Sequence, residues 1–265
     1  LEREINKIVI IGSGNVATIL AKKIQKNKHY TIVEIVARNI QTGKSLADEI
    51  HSLLCTDISK ISQIADIYIV AVQDKTLPIL ANELNNYIPK DKIIVHTTGS
   101  ASINILKNIS SNIGVIYPLQ SIKSSSSLYI EIPLFIDANN EKTKIQISDL
   151  ANSISSKVDI ANDEKRLKLH IAAVIVSNFS NYLFTLGEDF CKTENISFEY
   201  LLPLIEETVR RMQTTSPSIM QTGPAIRADQ NTIDLHKRIL KKENLSETLD
   251  VYSFLTEKIQ QHFEK

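Results

Sequence analysis

The chain has 265 residues, enough for two domains, and 43% apolar residues, enough for a packed core. Basic and acidic residues balance at 30 each, so the composition gives no reason to expect attraction to nucleic acid or to an anionic membrane surface. Cys55 and Cys191 stand far apart without metal-ligand spacing, which excludes a disulfide framework and gives no metal site. They read as free thiols in a reducing, cytoplasmic setting, and no secretory leader is read before the first strand.

The run Ile8-Val9-Ile10-Ile11 reads as a strand buried on both faces, because such a strand loses alternation and becomes continuously β-branched. It enters Gly12-Ser13-Gly14-Asn15-Val16-Ala17, which has the form G-x-G-x-x-A, and a helix over residues 16–25 follows. Strand, glycine turn and helix together form a dinucleotide-binding fingerprint. Gly12 makes the sharp turn, Gly14 leaves room for a pyrophosphate, and Ala17 lets helix and strand approach; free N–H groups at the helix start face the phosphates. Strands are then expected at 31–37, 53–55, 67–72, 93–96, 113–116, 133–136 and 157–160, with helices at 41–50, 75–85, 102–107 and 144–154. The serine run 124–127 reads as a connector. Strands alternating with helices of these lengths predict a doubly wound, mostly parallel Rossmann sheet.

From Asp163 the strand signals stop. Residues 163–191 predict one long helix, roughly 40 Å at the standard rise, with an acidic start that suits its dipole. Its uninterrupted apolar run is too short for a membrane span, so it is expected to be a buried helix. Helices over 198–212, 233–242 and 246–263 follow, the last with Ser246 as an expected N-cap, and Gly223-Pro224 is a break. The expected plan is a dinucleotide-binding domain over 1–161 and an all-helical substrate and dimerisation domain over 162–265.

The second strand ends in Arg38-Asn39, where an acid would be needed to read the ribose of NAD. An arginine fork suits a 2′-phosphate, so NADP is the expected cofactor. Its expected contacts are Gly12, Ser13, Gly14, Asn15, Val16, Arg38, Asn39, Val72, Gln73 and Thr97. Strand ends collect further polar residues. His96 is either a proton donor or a cap for its own loop; Thr97, Thr98 and Ser100 either bind the cofactor or cap the next helix. On the long helix His170, Val174, Ser177, Asn178 and Asn181 share one polar face, while Ile171, Ala172, Val176, Phe179 and Leu183 carry burial elsewhere. That polar face must be satisfied by the other domain, a second subunit or a substrate. His170 is the first choice of acid–base residue, with Asn178 orienting substrate and His96 as the alternative. Ser100, Gln120, Ser177, Asn181 and Arg227 are candidate substrate contacts, although Arg227 could instead pair with Asp229 or Glu207. A second apolar stripe of Ile171, Ile175, Phe179 and Leu183 predicts a homodimer through the helical domain.

Several of these stretches resemble one family: the glycine turn, residues 67–74, His96-Thr97-Thr98-Gly99-Ser100, Tyr117-Pro118-Leu119-Gln120-Ser121, 169–179, Leu202-Pro203-Leu204-Ile205, and Gln221-Thr222-Gly223-Pro224-Ala225 with Arg227 and Asp229. This is the set of bacterial Rossmann-like proteins with a helical C-terminal domain, labelled NADP oxidoreductases of the deazaflavin-coenzyme-dependent type. The layout is also similar to pyrroline-5-carboxylate reductase, ketopantoate reductase, prephenate dehydrogenase and the 3-hydroxyacid dehydrogenases. Several of those place a lysine and an asparagine one turn apart on the first long helix, where this chain has Arg166 and His170. The combined expectation is an NADP(H)-dependent oxidoreductase moving a hydride to or from a small polar substrate held between the domains. The rival is a dinucleotide-binding sensor or scaffold without turnover.

Overall fold

The computed structural model describes residues 6–123 and 130–264. The serine run expected as a connector lies outside the described residues. The chain divides into two compact units, Leu1–Ser177 and Asn178–Lys265.

The first unit carries an eight-stranded sheet: β1 (Asn6–Ile11), β2 (Tyr30–Val36), β3 (Leu53–Cys55), β4 (Ile67–Val70), β5 (Ile93–His96), β6 (Asn112–Pro118), β7 (Leu134–Ala138) and β8 (Val158–Ile160). Their order is β3-β2-β1-β4-β5-β6-β7-β8. Every pairing is parallel except β6 with β7, which is antiparallel. The order reverses between β1 and β4, and ligands of open α/β sheets bind at such a switch point, beyond the strand ends. The β1 sequence explains the sandwich. Ile8 and Ile10 join one buried cluster with α1 (Asn15–Gln25), α2 (Ile40–Glu49) and α4 (Glu141–Ile154), while Val9 and Ile11 join another with α3 (Leu77–Leu84). Alternate side chains point to opposite faces, and both faces are covered.

Capping residues set the helix starts more sharply than apolar spacing does. Asn140 accepts from the Thr143 N–H at 2.9 Å, so α4 begins three residues before the expected position. Asn162 accepts from the Lys165 N–H at 2.9 Å and starts α5 (Asp163–Ala173). The helix continues through a π-helical segment, Val174–Phe179, into α6 (Ser180–Thr193). The boundary between the two units falls inside this π segment, one helix later than the 161/162 boundary read from the loss of strand signals. The shift has a structural cause: α5 is held on the first unit through Arg166 and His170.

The second unit contains α6, α7 (Leu202–Arg211), α8 (Pro217–Met220), α9 (Gln230–Lys242) and α10 (Ser246–Phe263). Asp229 caps α9 through the Thr232 N–H at 3.2 Å. Ser246 is not the expected cap: it is the first residue of α10, Leu245 precedes it, and no side chain caps this end. Glu247 instead accepts from the Tyr182 hydroxyl.

The long helix corrects one expectation outright. By length and composition alone, the helix Asp163–Thr193 could cross a membrane, its apolar 18-residue window reaching a mean hydropathy of 1.3. It is not buried within the chain. Ile171 and Ile175 in the first unit, and Phe179 and Leu183 in the second, are 41–58% exposed. Arg166 is the one buried side chain of α5.

Candidate functional site

The glycine turn lies at the end of β1. Gly12 adopts φ +129°, and a Cβ there would lie 2.2 Å from the Ala71 carbonyl oxygen, so this position needs glycine for the fold itself. Gly14 differs. A Cβ on it would meet nothing within 4 Å among the described residues, so there the turn leaves space where a ligand can approach the backbone. Gly14 is the N-cap of α1, no side chain caps that end, and its first turn holds no acid. Its N–H groups and the positive end of its dipole are available to an anion.

Around this turn lies a cleft of about 680 Å³. Of the expected cofactor contacts, it brings together Gly12, Ser13, Gly14, Arg38, Asn39, Val72 and Gln73. Arg38 is exposed at the end of β2, and among the described residues it has no ion-pair partner. Asn39 caps α2 through the Thr42 N–H at 3.1 Å, and the Ser13 and Thr42 hydroxyls are 2.7 Å apart. The other three expected contacts point elsewhere. The Asn15 side chain donates to the Ile122 carbonyl at 3.0 Å. Val16 packs on the sheet core. The Thr97 hydroxyl is buried and donates to the Val70 carbonyl.

A second group assembles at the ends of β5 and β6 with one face of α5. The Tyr117 hydroxyl and His170 Nδ1 are 3.1 Å apart, with the two rings edge to face at 74°. Tyr117 is buried, and its pKa is raised by burial first and by the Asp74 carboxylate next. Asp74 accepts from the Ser100 hydroxyl. His96 is fully buried at the end of β5, where its Nδ1 accepts from the Thr98 N–H at 3.2 Å. That bond places the proton of the neutral ring on Nε2, which makes no hydrogen bond of normal geometry among the described residues. Burial, and after it the positive charge of Arg166, depress the His96 pKa to about 4. This histidine is therefore neutral near pH 7 and holds its own loop.

Of the expected substrate contacts, Ser100 and Gln120 lie on the strand-end loops of the first unit, and Gln120 Oε1 accepts from the Ser121 N–H at 3.0 Å. Ser177 is half-buried on the π segment. Asn178, Asn181 and Arg227 belong to the second unit, and all three are exposed. Neither carboxylate considered for Arg227 forms an ion pair with it: Glu207 binds Arg210 at 2.7 Å, and Asp229 accepts from the Thr232 hydroxyl at 2.8 Å. Sequence reasoning placed Tyr117 on the right edge but did not pair it with His170, 53 residues away. It also did not foresee a buried Arg166.

Residues 7–99 match the family model "NADP oxidoreductase coenzyme F420-dependent", and residues 132–259 match a domain of unknown function (DUF2520). A candidate NADP oxidoreductase from Bacteroides fragilis, known from its crystal structure, is 32% identical with a TM-score of 0.91, covering 98% of this chain and 100% of that one. The chain belongs to this NADP oxidoreductase family. More remote structures share the oxidoreductase fold. An imine reductase from Myxococcus stipitatus, solved in complex with NADP+, is 16% identical with a TM-score of 0.68 over 98% of this chain and 100% of that one. A 1-pyrroline-5-carboxylate reductase from Streptococcus pyogenes is 14% identical with a TM-score of 0.59 over 96% and 98%. No curated protein matches the chain. NADP is the family's cofactor, and the open Gly14 backbone, the uncapped start of α1 and the unpaired Arg38 fit it.

Proposed function

We propose that this oxidoreductase transfers a hydride between NADP(H) and a small polar substrate, with His170 exchanging the accompanying proton. Bound NADPH would supply the hydride. The Gly14 backbone and the α1 N-terminus hold the pyrophosphate, and Arg38 takes the 2′-phosphate. The observation that carries the reading is the Tyr117–His170 pair, in the same unit as the open glycine turn. When a C=O or C=N bond gains a hydride at carbon, the heteroatom must gain a proton. The imidazole of His170 is the half-buried acid–base group, with a phenol bonded to its Nδ1. Tyr117 fixes the ring and leaves Nε2 for the substrate. Ser100 and Gln120 on the adjoining loops, and Ser177 in the same unit, are the proposed substrate contacts. His96, buried and neutral, is the lesser candidate for proton transfer. A panel of imines and keto acids offered with NADPH, and of hydroxy acids offered with NADP+, followed by NADPH fluorescence, tests the reading: a turned-over imine or keto acid oxidises NADPH and a turned-over hydroxy acid forms it, whereas a pure sensor shows binding with neither change.

A homodimer is part of the proposal. Among the described residues of the second unit, only Leu186, Cys191, Ala225, Ile233, Leu240 and Thr256 are buried, too few for a stable core of this size. The exposed side chains Ile175, Phe179 and Leu183 need covering. A second copy meets that need better than lipid does, because Ser177, Asn178 and Asn181 interrupt the apolar surface. The free thiols of Cys55 and Cys191 suit a cytoplasmic setting.

A further inference from the structure

We propose that Arg166 is the positioning residue of the candidate site: it clamps α5 to the loop after β5 and so sets the His170–Tyr117 pair. This rests on the reading of His170 as the proton-exchanging group.

A surface helix is ordinarily docked by an apolar stripe. In α5 the apolar side chains Leu167 and Ile171 are 43% and 53% exposed, and the one buried side chain is a charged arginine. Its Nη2 donates to the Ala101 carbonyl and, at 2.7 Å, to Asp163 Oδ1. The same carboxylate oxygen accepts from the Ile103 N–H at 3.0 Å. One guanidinium and one carboxylate thus tie the first turn of α5 to the backbone on both sides of Ser102. Asp163 stays ionised: burial works against its charge, but hydrogen bonds from Ser102, Arg166 and Ile103, with the Arg166 charge, hold its pKa below the usual value. The guanidinium's Nε and Nη1 find no acceptor among the described residues, so the clamp acts through Nη2 alone.

His170 stands four residues after Arg166 and therefore on the same helical face. The loop that Arg166 grips is the one that His170 touches. A Cβ on Gly99 would lie 3.0 Å from His170 Cγ and Nδ1 and 3.0 Å from Tyr117 Cζ. With almost no slack between loop, imidazole and phenol, a small rotation of α5 breaks the Tyr117–His170 bond. The neighbouring Lys168 faces away, paired with Glu164 on the exposed side, and serves as an internal control.

The test uses the full chain with histidines labelled for NMR, the His170 signal being assigned from His170→Ala. In the parent protein the edge-to-face Tyr117 ring should shift the His170 ring protons, with nuclear Overhauser contacts between the two rings. Arg166→Met and Asp163→Asn should each abolish those contacts while keeping NADPH affinity within threefold, and Arg166→Lys should restore part of them. Lys168→Met should change nothing. Any turnover should fall at least tenfold in kcat in both clamp variants. If Arg166→Met does not fold, Asp163→Asn decides. Intact His170–Tyr117 contacts in a folded Arg166→Met or Asp163→Asn protein would overturn the proposal. Because the NMR readout needs no substrate, it stands apart from the test of the oxidoreductase reading.

Discussion

The two glycines of the turn make opposite predictions, and the structure sets their sizes. At Gly14 the backbone has φ −81° and ψ −175°, an extended conformation open to any L-residue, and a new Cβ meets nothing within 4 Å among the described residues. Gly14→Val should therefore cost only the weaker N-cap, about 1 kcal/mol, or about 2–4 °C in melting temperature for a chain of this size. Its isopropyl group would occupy the space assigned to the pyrophosphate. NADPH affinity should fall at least ~100-fold, about 2.7 kcal/mol. At Gly12 the φ of +129° and the 2.2 Å approach to the Ala71 oxygen make even alanine a folding defect of ~3–5 kcal/mol. Thermal melts of both variants, paired with fluorescence titration of NADPH, read the contrast. A folded Gly14→Val protein that binds NADPH within threefold of the parent would refute the placement of the cofactor.

Arg38→Ala should weaken NADPH by about 1.5–3 kcal/mol, the range for a hydrogen bond to a charged group, and leave NADH nearly unchanged; parallel titrations check it, and equal binding of the two by the parent protein would remove the NADP preference. His96, shifted from an ordinary value near 6.5 to about 4, stays neutral in the fold while the unfolded chain protonates. Stability from this group is therefore complete above pH ~6.5 and falls by about 3 kcal/mol, 2.5 pH units at 1.36 kcal/mol each, as pH drops to 4. His96→Asn, which keeps an acceptor for the Thr98 N–H, should lack this loss, and parallel denaturation curves for parent and variant across that window would contradict it. Sedimentation should show a dimer at micromolar concentration without detergent, and Ile175→Asp combined with Phe179→Asp should shift it to monomer; a monomeric parent protein would reject the interface.

The sheet was legible because its central strands carry their burial in plain view. The β-branched runs of β1, β4 and β5 announce strands covered on both faces, and the bounds of β3, β5 and α10 agree with those read from the sequence. The antiparallel direction of β7 was not legible, because a short strand of five residues, Leu134–Ala138, looks the same in either direction. Helix starts at Glu141 and Gln230 were placed three residues late, since apolar spacing was weighed above the Asn140 and Asp229 caps. The long helix misled for a deeper reason. Apolar composition says that a surface will be covered, not by what, and Ile171, Ile175 and Phe179 remain open within one chain. The π segment at Val174–Phe179 has no sequence signal. In the site, the gathering of Gly12, Gly14 and Arg38 around one cleft followed from local motif chemistry. The Tyr117–His170 bond and the Arg166 clamp needed the fold, because they join residues 53 and 65 positions apart.

The most direct test of the account combines NADPH binding and NADPH oxidation in His170→Ala. The parent protein should oxidise NADPH with at least one member of the imine, keto acid and hydroxy acid panel, or reduce NADP with one of its hydroxy acids. The variant should bind NADPH within about 1 kcal/mol of the parent while losing turnover at least ~100-fold in kcat. Full turnover in His170→Ala, or cofactor bound by the parent protein with neither NADPH oxidised nor NADP reduced by any compound, would contradict it.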